Sequence, residues 1–235
     1  VIVMNYNEFI LKINKYWDLR SKGLKKQANS FLYGFVEYFK KNVSVEDEDK
    51  IFYQFCREYL DELKFPGEDL PRRCLPFQIT ELLHSYFCRE CIKNKMPQLR
   101  WAYQIYGNGF NPDNSMYNDG SYNILQKAYI HEECDQQTVD FYFNEQINFL
   151  WLGQHHFPEA CLITREEFEN TVNLIDKIIL ENPVEPLLVE EFKYYANLYN
   201  IYFDWHSNGR KGSFYEICET AGLEFEGIPA IYYKR

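Results

Sequence analysis

The sequence has no apolar run long enough to cross a membrane. None of its segments approaches the roughly 18 consecutive apolar residues of a membrane-spanning helix. The N-terminus also lacks the basic region and apolar core of a secretory signal, because Asn5, Asn7 and Glu8 interrupt it. We therefore expect no membrane association and a cytoplasmic location.

A disulfide framework is also missing. The seven cysteines form an odd set without framework spacing, in a chain of 235 residues. A chain of this length can build a hydrophobic core without covalent cross-links. Reduced thiols are expected, in agreement with a cytoplasmic location.

The motifs of several large enzyme classes are absent. The chain has no G-x-S-x-G nucleophile elbow, no G-x-x-x-x-G-K-[ST] phosphate loop and no H-E-x-x-H metal-binding pair. The short run Gly107-Asn-Gly109 falls short of a dinucleotide-binding fingerprint. The sequence predicts no cofactor and favours a protein that is not an enzyme.

Basic charge is scarce relative to acidic charge. The chain carries 25 Lys and Arg against 35 Asp and Glu, a net charge of -10. A field of this sign repels nucleic acid and anionic membranes and favours a basic partner. Aromatic residues make up 18% of the chain and suit a protein-binding surface, although the acidity also serves to keep an aromatic-rich chain soluble.

Helical periodicity recurs along most of the chain. Strand-like alternation is confined to Gly227 to Tyr233, whereas helical spacing of apolar residues dominates elsewhere. From Met96 to Leu152 the apolar residues are too many to be covered from one side of a helix, which is typical of helices packed in layers. The sequence predicts an all-α, layered multi-helix fold similar to a degenerate helical repeat, with a short β-like C-terminal segment.

Local signals predict several helix boundaries. Ser44 is expected to cap a helix that opens with an acidic run, and Thr164 with Glu167 matches a capping box. Apolar residues circle the stretch 187–205, so this helix is expected to be buried between neighbours. Gly209 is expected to end it.

The domain organisation is predicted as one helical body spanning 1–235. Within it, 1–63 is a candidate N-terminal packing subdomain, 75–221 forms the main helical layers and 222–235 acts as a clamp. The best candidate boundary is 65–76, which contains three prolines.

One segment resembles a tetratricopeptide-type helix pair with an enlarged loop. The matching residues are Leu99, Ala102, Tyr103, Tyr106 and Gly107, then Leu125, Gln126, Lys127, Ala128, Tyr129 and Asp135. The resemblance covers about 40 residues and shows no second copy, so it implies helix-pair packing rather than membership of that family.

The loop from Gly107 to Gly120 is the predicted partner-binding element. Its density of turn-forming residues excludes a regular element, and long loops on a helical scaffold often carry recognition. A permissive insertion is the alternative interpretation. The predicted contact residues are Phe110, Asp113, Tyr117 and Asp119.

A cysteine and histidine cluster provides a candidate zinc site. Helical spacing predicts that His84, Cys88 and Cys91 share a face opposite the apolar stripe of their helix, with Cys74 shortly before it. The spacing is not that of a standard zinc module, and the alternative is that the cysteines pack as small apolar residues. We expect no bound metal.

His155, His156 and Glu159 form a second candidate chemical site. Two imidazoles and a carboxylate could bind a metal or act as acid and base near neutral pH. Neighbouring side chains in an extended segment point apart, so turn packing is the competing interpretation.

The leading functional hypothesis is a non-enzymatic cytoplasmic protein-binding protein. A bacterial immunity or antitoxin protein that masks a basic toxin domain is its most concrete version, because an acidic inhibitor is steered onto a basic partner. The alternatives are a small metal-dependent or acid/base hydrolase that uses His155, His156 and Glu159, and a structural zinc protein. The sequence leaves the oligomeric state open.

Overall fold

The computed structural model describes residues 4–63, 75–112, 123–225 and 227. Within these ranges the chain is all-α, as predicted, and its helices pack in layers. They are α1 (Tyr6–Ser21), α2 (Lys25–Asn42), α3 (Val45–Cys56), α4 (Phe77–Ile92), α5 (Gln98–Tyr106), α6 (Ile124–Tyr129), α7 (Gln136–Gly153), α8 (Arg165–Glu181), α9 (Pro186–Ser207) and α10 (Phe214–Thr220). A π-helical turn, Arg57–Asp61, follows α3, and a 3₁₀ turn, Gly107–Gly109, follows α5.

Side-chain caps determine where several helices begin. The Ser44 side chain accepts a hydrogen bond from the Asp47 backbone N–H, and Thr164 forms a reciprocal capping box with Glu167. Both predicted caps are therefore confirmed. They satisfy backbone N–H groups that have no partner within the helix.

Two compact units divide the chain, Val1–Glu133 (unit 1) and Cys134–Arg235 (unit 2). In unit 1, α1 packs on α2 and α3, α4 packs on α2, α3 and α5, and α5 packs on α6. The last contact is the helix pairing that the tetratricopeptide resemblance implied. The arrangement of 1–235 as one body remains a prediction.

The core of unit 1 is unusually aromatic. The fully buried Phe9 ring lies 5.4 to 5.9 Å from the rings of Phe35, Phe39, Phe52 and Phe55. These spacings are those of favourable aromatic pairs. The same core continues into α4, α5 and α6, so the proline-rich stretch 65–76 does not separate residues 1–63 from a second core.

Unit 2 is built on a three-helix arrangement in which α7, α8 and α9 contact one another, with α10 packed on α9. One face of α9 is buried, through Phe192, Tyr195, Leu198, Tyr199 and Tyr202. Its other face carries exposed polar residues such as Glu191 and Asn200. As predicted, α9 lies between neighbouring helices, because it contacts α7, α8 and α10, but its burial is confined to one face and does not extend around the helix.

The C-terminal end of α9 follows the predicted chemistry. Gly209 has a φ of 75° directly after the capping residue Asn208, a left-handed conformation that glycine adopts at low cost. The predicted β-like segment lies outside the described residues except for Gly227. No helix in the described part of the chain is both long and apolar enough to span a membrane.

Candidate functional site

The turn after α7 carries His155, His156 and Glu159, and its start is fixed by close packing. Tyr199 of α9 donates a hydrogen bond to the Leu150 carbonyl oxygen at 2.7 Å. A Cβ atom on Gly153 would collide with the Tyr199 hydroxyl. Glycine is therefore required where α7 ends, and contact with Tyr199 fixes the position at which the turn begins.

The two histidines of this turn lie close together without a carboxylate between them. Their ring centroids are 5.4 Å apart, and the His155 ring also meets Trp151 edge-on at 5.6 Å. His155 is half-buried, and its Nδ1 atom is buried with no hydrogen-bond partner among the described residues. A general-base histidine is usually oriented by a second group on its other ring nitrogen, and the described part of the chain provides no such contact to His155 Nδ1.

Glu159 contributes to a different feature, an open pocket of about 310 Å³ in unit 2. The pocket lies between the end of the turn and the C-terminal part of α9, and neither His155 nor His156 lines it. Its lining residues are Glu159, Ala160, Cys161, Tyr202, Phe203, His206 and Arg210. The α9 members could not be predicted, because nothing local in the sequence indicates that 159–161 lie next to 202–210.

Cys161 in this pocket is not an activated nucleophile. Its Sγ donates to the Ile163 carbonyl oxygen at 3.0 Å, and burial raises the pKa of the thiol above its usual value. A nucleophilic cysteine requires the opposite shift, which stabilises the thiolate. The pocket therefore contains Cys, His and Glu, but it does not stabilise the Cys161 thiolate as a cysteine hydrolase would.

The candidate zinc ligands do not share one face. Cys88 and His84 are neighbours, with Sγ and Nδ1 separated by 3.5 Å. Cys91 instead lies in the core, 4% exposed, with its thiol directed at the Gln98 carbonyl oxygen. The predicted placement opposite the apolar stripe was wrong for Cys91, because α4 is packed on several sides. Cys74 lies outside the described residues, and within them no three His, Cys, Asp or Glu side chains are grouped to hold a metal.

One predicted contact residue of the partner loop, Phe110, packs inward. Phe110 is 3% exposed and its ring stacks on Tyr106 at 5.1 Å and contacts His84 at 5.5 Å. Its expected role as an exposed contact residue is corrected to a core role, because a buried ring offers no area to a partner. Asp113, Tyr117 and Asp119 lie outside the described residues, and their role stays a prediction.

The acidic charge is distributed very unevenly between the two units. Unit 1 contains 18 acidic and 18 basic residues, whereas unit 2 contains 17 acidic and 7 basic residues. The whole net charge of the chain therefore belongs to unit 2. Nothing in the sequence marks this division, since the boundary at 133 and 134 carries neither proline nor glycine.

Helix α8 presents an ordered part of this charge. Glu166, Glu169 and Asp176 are exposed and recur at the spacing that places side chains on one face of a helix. None of the three has an ion-pair partner within the described ranges. The opposite face, with Phe168, Thr171, Ile175 and Ile178, is buried. We call Glu166, Glu169 and Asp176 the α8 acidic face.

No family model, curated protein or solved structure matches this chain.

Proposed function

We propose that this chain is a non-enzymatic protein-binding protein whose unit 2 docks on a basic surface. Its most specific form is a bacterial immunity or antitoxin protein that masks a basic toxin domain, acting in the cytoplasm and without a cofactor. The observation that carries the proposal is the concentration of the net charge of -10 in unit 2.

Long-range attraction is the first part of the argument. Carboxylates without a nearby cation project a negative potential beyond the surface, whereas paired charges largely cancel. At physiological salt the potential extends over about 8 Å. The α8 acidic face would therefore speed the encounter with a basic partner and fix its orientation.

The surroundings of this face also supply apolar contact area. Leu180 at the end of α8 is 85% exposed and Leu187 at the start of α9 is 73% exposed. The exposed carboxylates Glu181 and Glu185 stand between them in the sequence. Apolar side chains surrounded by charge have the composition of an interface with an apolar centre and a polar rim.

The hydrolase built on the histidine turn is the second candidate. The unpartnered Nδ1 of His155 is the one observation in its favour, because a buried imidazole nitrogen without a partner is costly unless it is used. Loss of a purified hydrolytic activity in His155→Ala would replace the binding proposal with this one.

A pair of charge-matched variants tests the binding proposal. The first variant neutralises the α8 acidic face with Glu166→Gln, Glu169→Gln and Asp176→Asn. The control neutralises the exposed residues Glu37, Glu81 and Glu132 of unit 1 with glutamine, so both chains carry the same net charge. The partner is first purified with the intact protein from its native host and identified by mass spectrometry.

The association rate of each variant with the identified partner is then measured. We expect a basic partner, an association rate roughly tenfold lower for the α8 variant at low salt, and little change for the control. Rising salt should erase the difference between the two variants. An acidic partner, or equal effects of the two variants, would contradict the proposal.

A further inference from the structure

Unit 1 contains an open groove that the proposed function does not use. It lies between α3 and the corner where α4 leads into α5, and its volume of about 570 Å³ is in the range of small-ligand pockets. Asp49, Tyr53 and Arg57 line it from α3, while Tyr86 and Glu90 line it from α4. Gln98, the first residue of α5, completes the wall.

Two buried polar groups in this wall have unused hydrogen-bonding capacity. Gln98 is only 5% exposed; its Nε2 donates to the Tyr86 hydroxyl at 3.2 Å, while its Oε1 has no partner among the described residues. If the amide oxygen and nitrogen were exchanged, the nitrogen would instead be the atom without a hydrogen-bond partner. A buried polar atom without a partner is costly, so this amide indicates a site that a ligand completes.

The Tyr86 hydroxyl supplies the complementary donor. Tyr86 as a whole is 1% exposed, and burial raises its pKa, so the hydroxyl keeps its proton at neutral pH. It accepts from Gln98, and its own proton has no acceptor among the described residues. The wall thus offers one donor and one acceptor side by side, which matches the polar edge of a nitrogen heterocycle.

The rim of the groove is positive in a chain that is otherwise acidic. Lys93 and Lys95 share the single carboxylate of Glu90, at 2.7 and 2.6 Å. Lys50 and Arg57 also line the groove but are paired with Glu46 and Glu62 outside it, so the positive excess comes from the two lysines that share one carboxylate. The excess of positive charge favours an anionic ligand, and the partly exposed ring of Tyr53 offers a surface on which a planar group can stack.

We propose that this groove binds a nucleoside monophosphate, with the base edge at Gln98 and Tyr86 and the phosphate at the lysine-rich rim. An inorganic phosphate would leave the buried amide unpartnered. A neutral nucleoside would leave the positive rim unused.

Isothermal titration calorimetry with the full chain tests the proposal, using AMP, UMP, adenosine, uridine and inorganic phosphate as probes. At least one monophosphate should bind at least tenfold more tightly than its nucleoside and than phosphate. Gln98→Leu should weaken that binding roughly tenfold, the size of one lost hydrogen bond. The control Gln126→Leu, on the exposed surface of α6, should leave it unchanged.

A second pair of variants keeps the test valid if Gln98→Leu fails to fold. Lys50 in the groove and Lys22 outside it each form an exposed i, i+4 ion pair at 2.7 Å. Lys50→Gln should weaken monophosphate binding several-fold, and Lys22→Gln should not. Absence of binding by both monophosphates, equal binding of phosphate, or equal effects of the two lysine variants would overturn the proposal. The α8 variant should retain nucleotide binding, which separates this test from that of the proposed function.

Discussion

The two units use charge in opposite ways. In unit 1 the ion pairs of Arg89 and Arg100 join separate helical segments: Arg89 of α4 binds both Glu48 and Asp49 of α3 at 2.5 and 2.6 Å. In unit 2 the described ion pairs are exposed, such as Lys193 with Glu190, and the exposed carboxylates of the α8 acidic face have no ion-pair partner among the described residues. Charge therefore contributes to internal structure in unit 1 and to the external field in unit 2.

The largest expected effect concerns the most buried arginine that forms an ion pair in the described part of unit 1. The side chain of Arg100 is 4% exposed and its Nη1 donates to Asp61 at 2.7 Å, while the Trp101 indole N–H donates to the same carboxylate oxygen. Asp61→Ala removes the charged acceptor of this buried guanidinium, which retains the neutral acceptor Gln104, so the substitution should lower the free energy of unfolding by about 3 kcal/mol.

Urea unfolding of Asp61→Ala measures this cost, with Asp18→Ala as the control. Asp18 forms an exposed pair with Lys22, and its loss should cost less than about 1 kcal/mol. Similar losses in the two variants would show that charge does not join the helices of unit 1 as described.

The next effect tests whether unit 2 relies on close packing instead. Gly153→Ala places a methyl group against the Tyr199 hydroxyl and should destabilise the protein by about 1 to 3 kcal/mol. Gly34→Ala in α2 meets nothing within 4 Å and should stabilise the helix by up to about 1 kcal/mol. Thermal unfolding should shift in opposite directions, and Tyr199→Phe should relieve part of the Gly153→Ala penalty. Equal shifts would remove the packing argument.

A smaller effect depends on pH. Burial alone would raise the pKa of Glu90, but hydrogen bonds from Lys93 and Lys95 outweigh it and lower the pKa below the ordinary value of 4.5. A depressed folded-state pKa stabilises the protein above the unfolded value, and this contribution is lost as pH falls through the folded value. Chemical unfolding of the intact protein below pH 4.5 should therefore lose stability more steeply than that of Glu90→Gln.

The smallest effect is on the stability of unit 2. Glu166 and Glu169 are like charges three residues apart on α8, which costs a few tenths of a kcal/mol. The α8 variant should melt slightly above the intact protein at low salt, and added salt should remove the difference. A lower melting temperature would mean that these carboxylates have stabilising partners.

Local chemistry was predicted well from the sequence, and contacts between distant segments were not. Thr164 with Glu167, and Ser44, were predicted because a cap depends on residues within one turn. Phe110 was taken for a surface residue because its neighbours form turns, although its ring packs on Tyr106 and His84. Glu159 was grouped with His155 by sequence proximity, whereas the fold brings it to α9. Periodicity identifies faces of a helix but does not say which faces meet a neighbour.

The π-helical turn Arg57–Asp61 makes the length of this stretch more important than its composition. A π turn contains an extra residue relative to an α-helix, and here its last residue is the acceptor for Arg100 and Trp101. Removing one residue would restore the regular helix and turn Asp61 by about 100° around its axis. A deletion that improved helical regularity would thus remove the contacts of Asp61 with Arg100 and Trp101 of α5, so this stretch should tolerate substitution of its outward side chains far better than any change in their number.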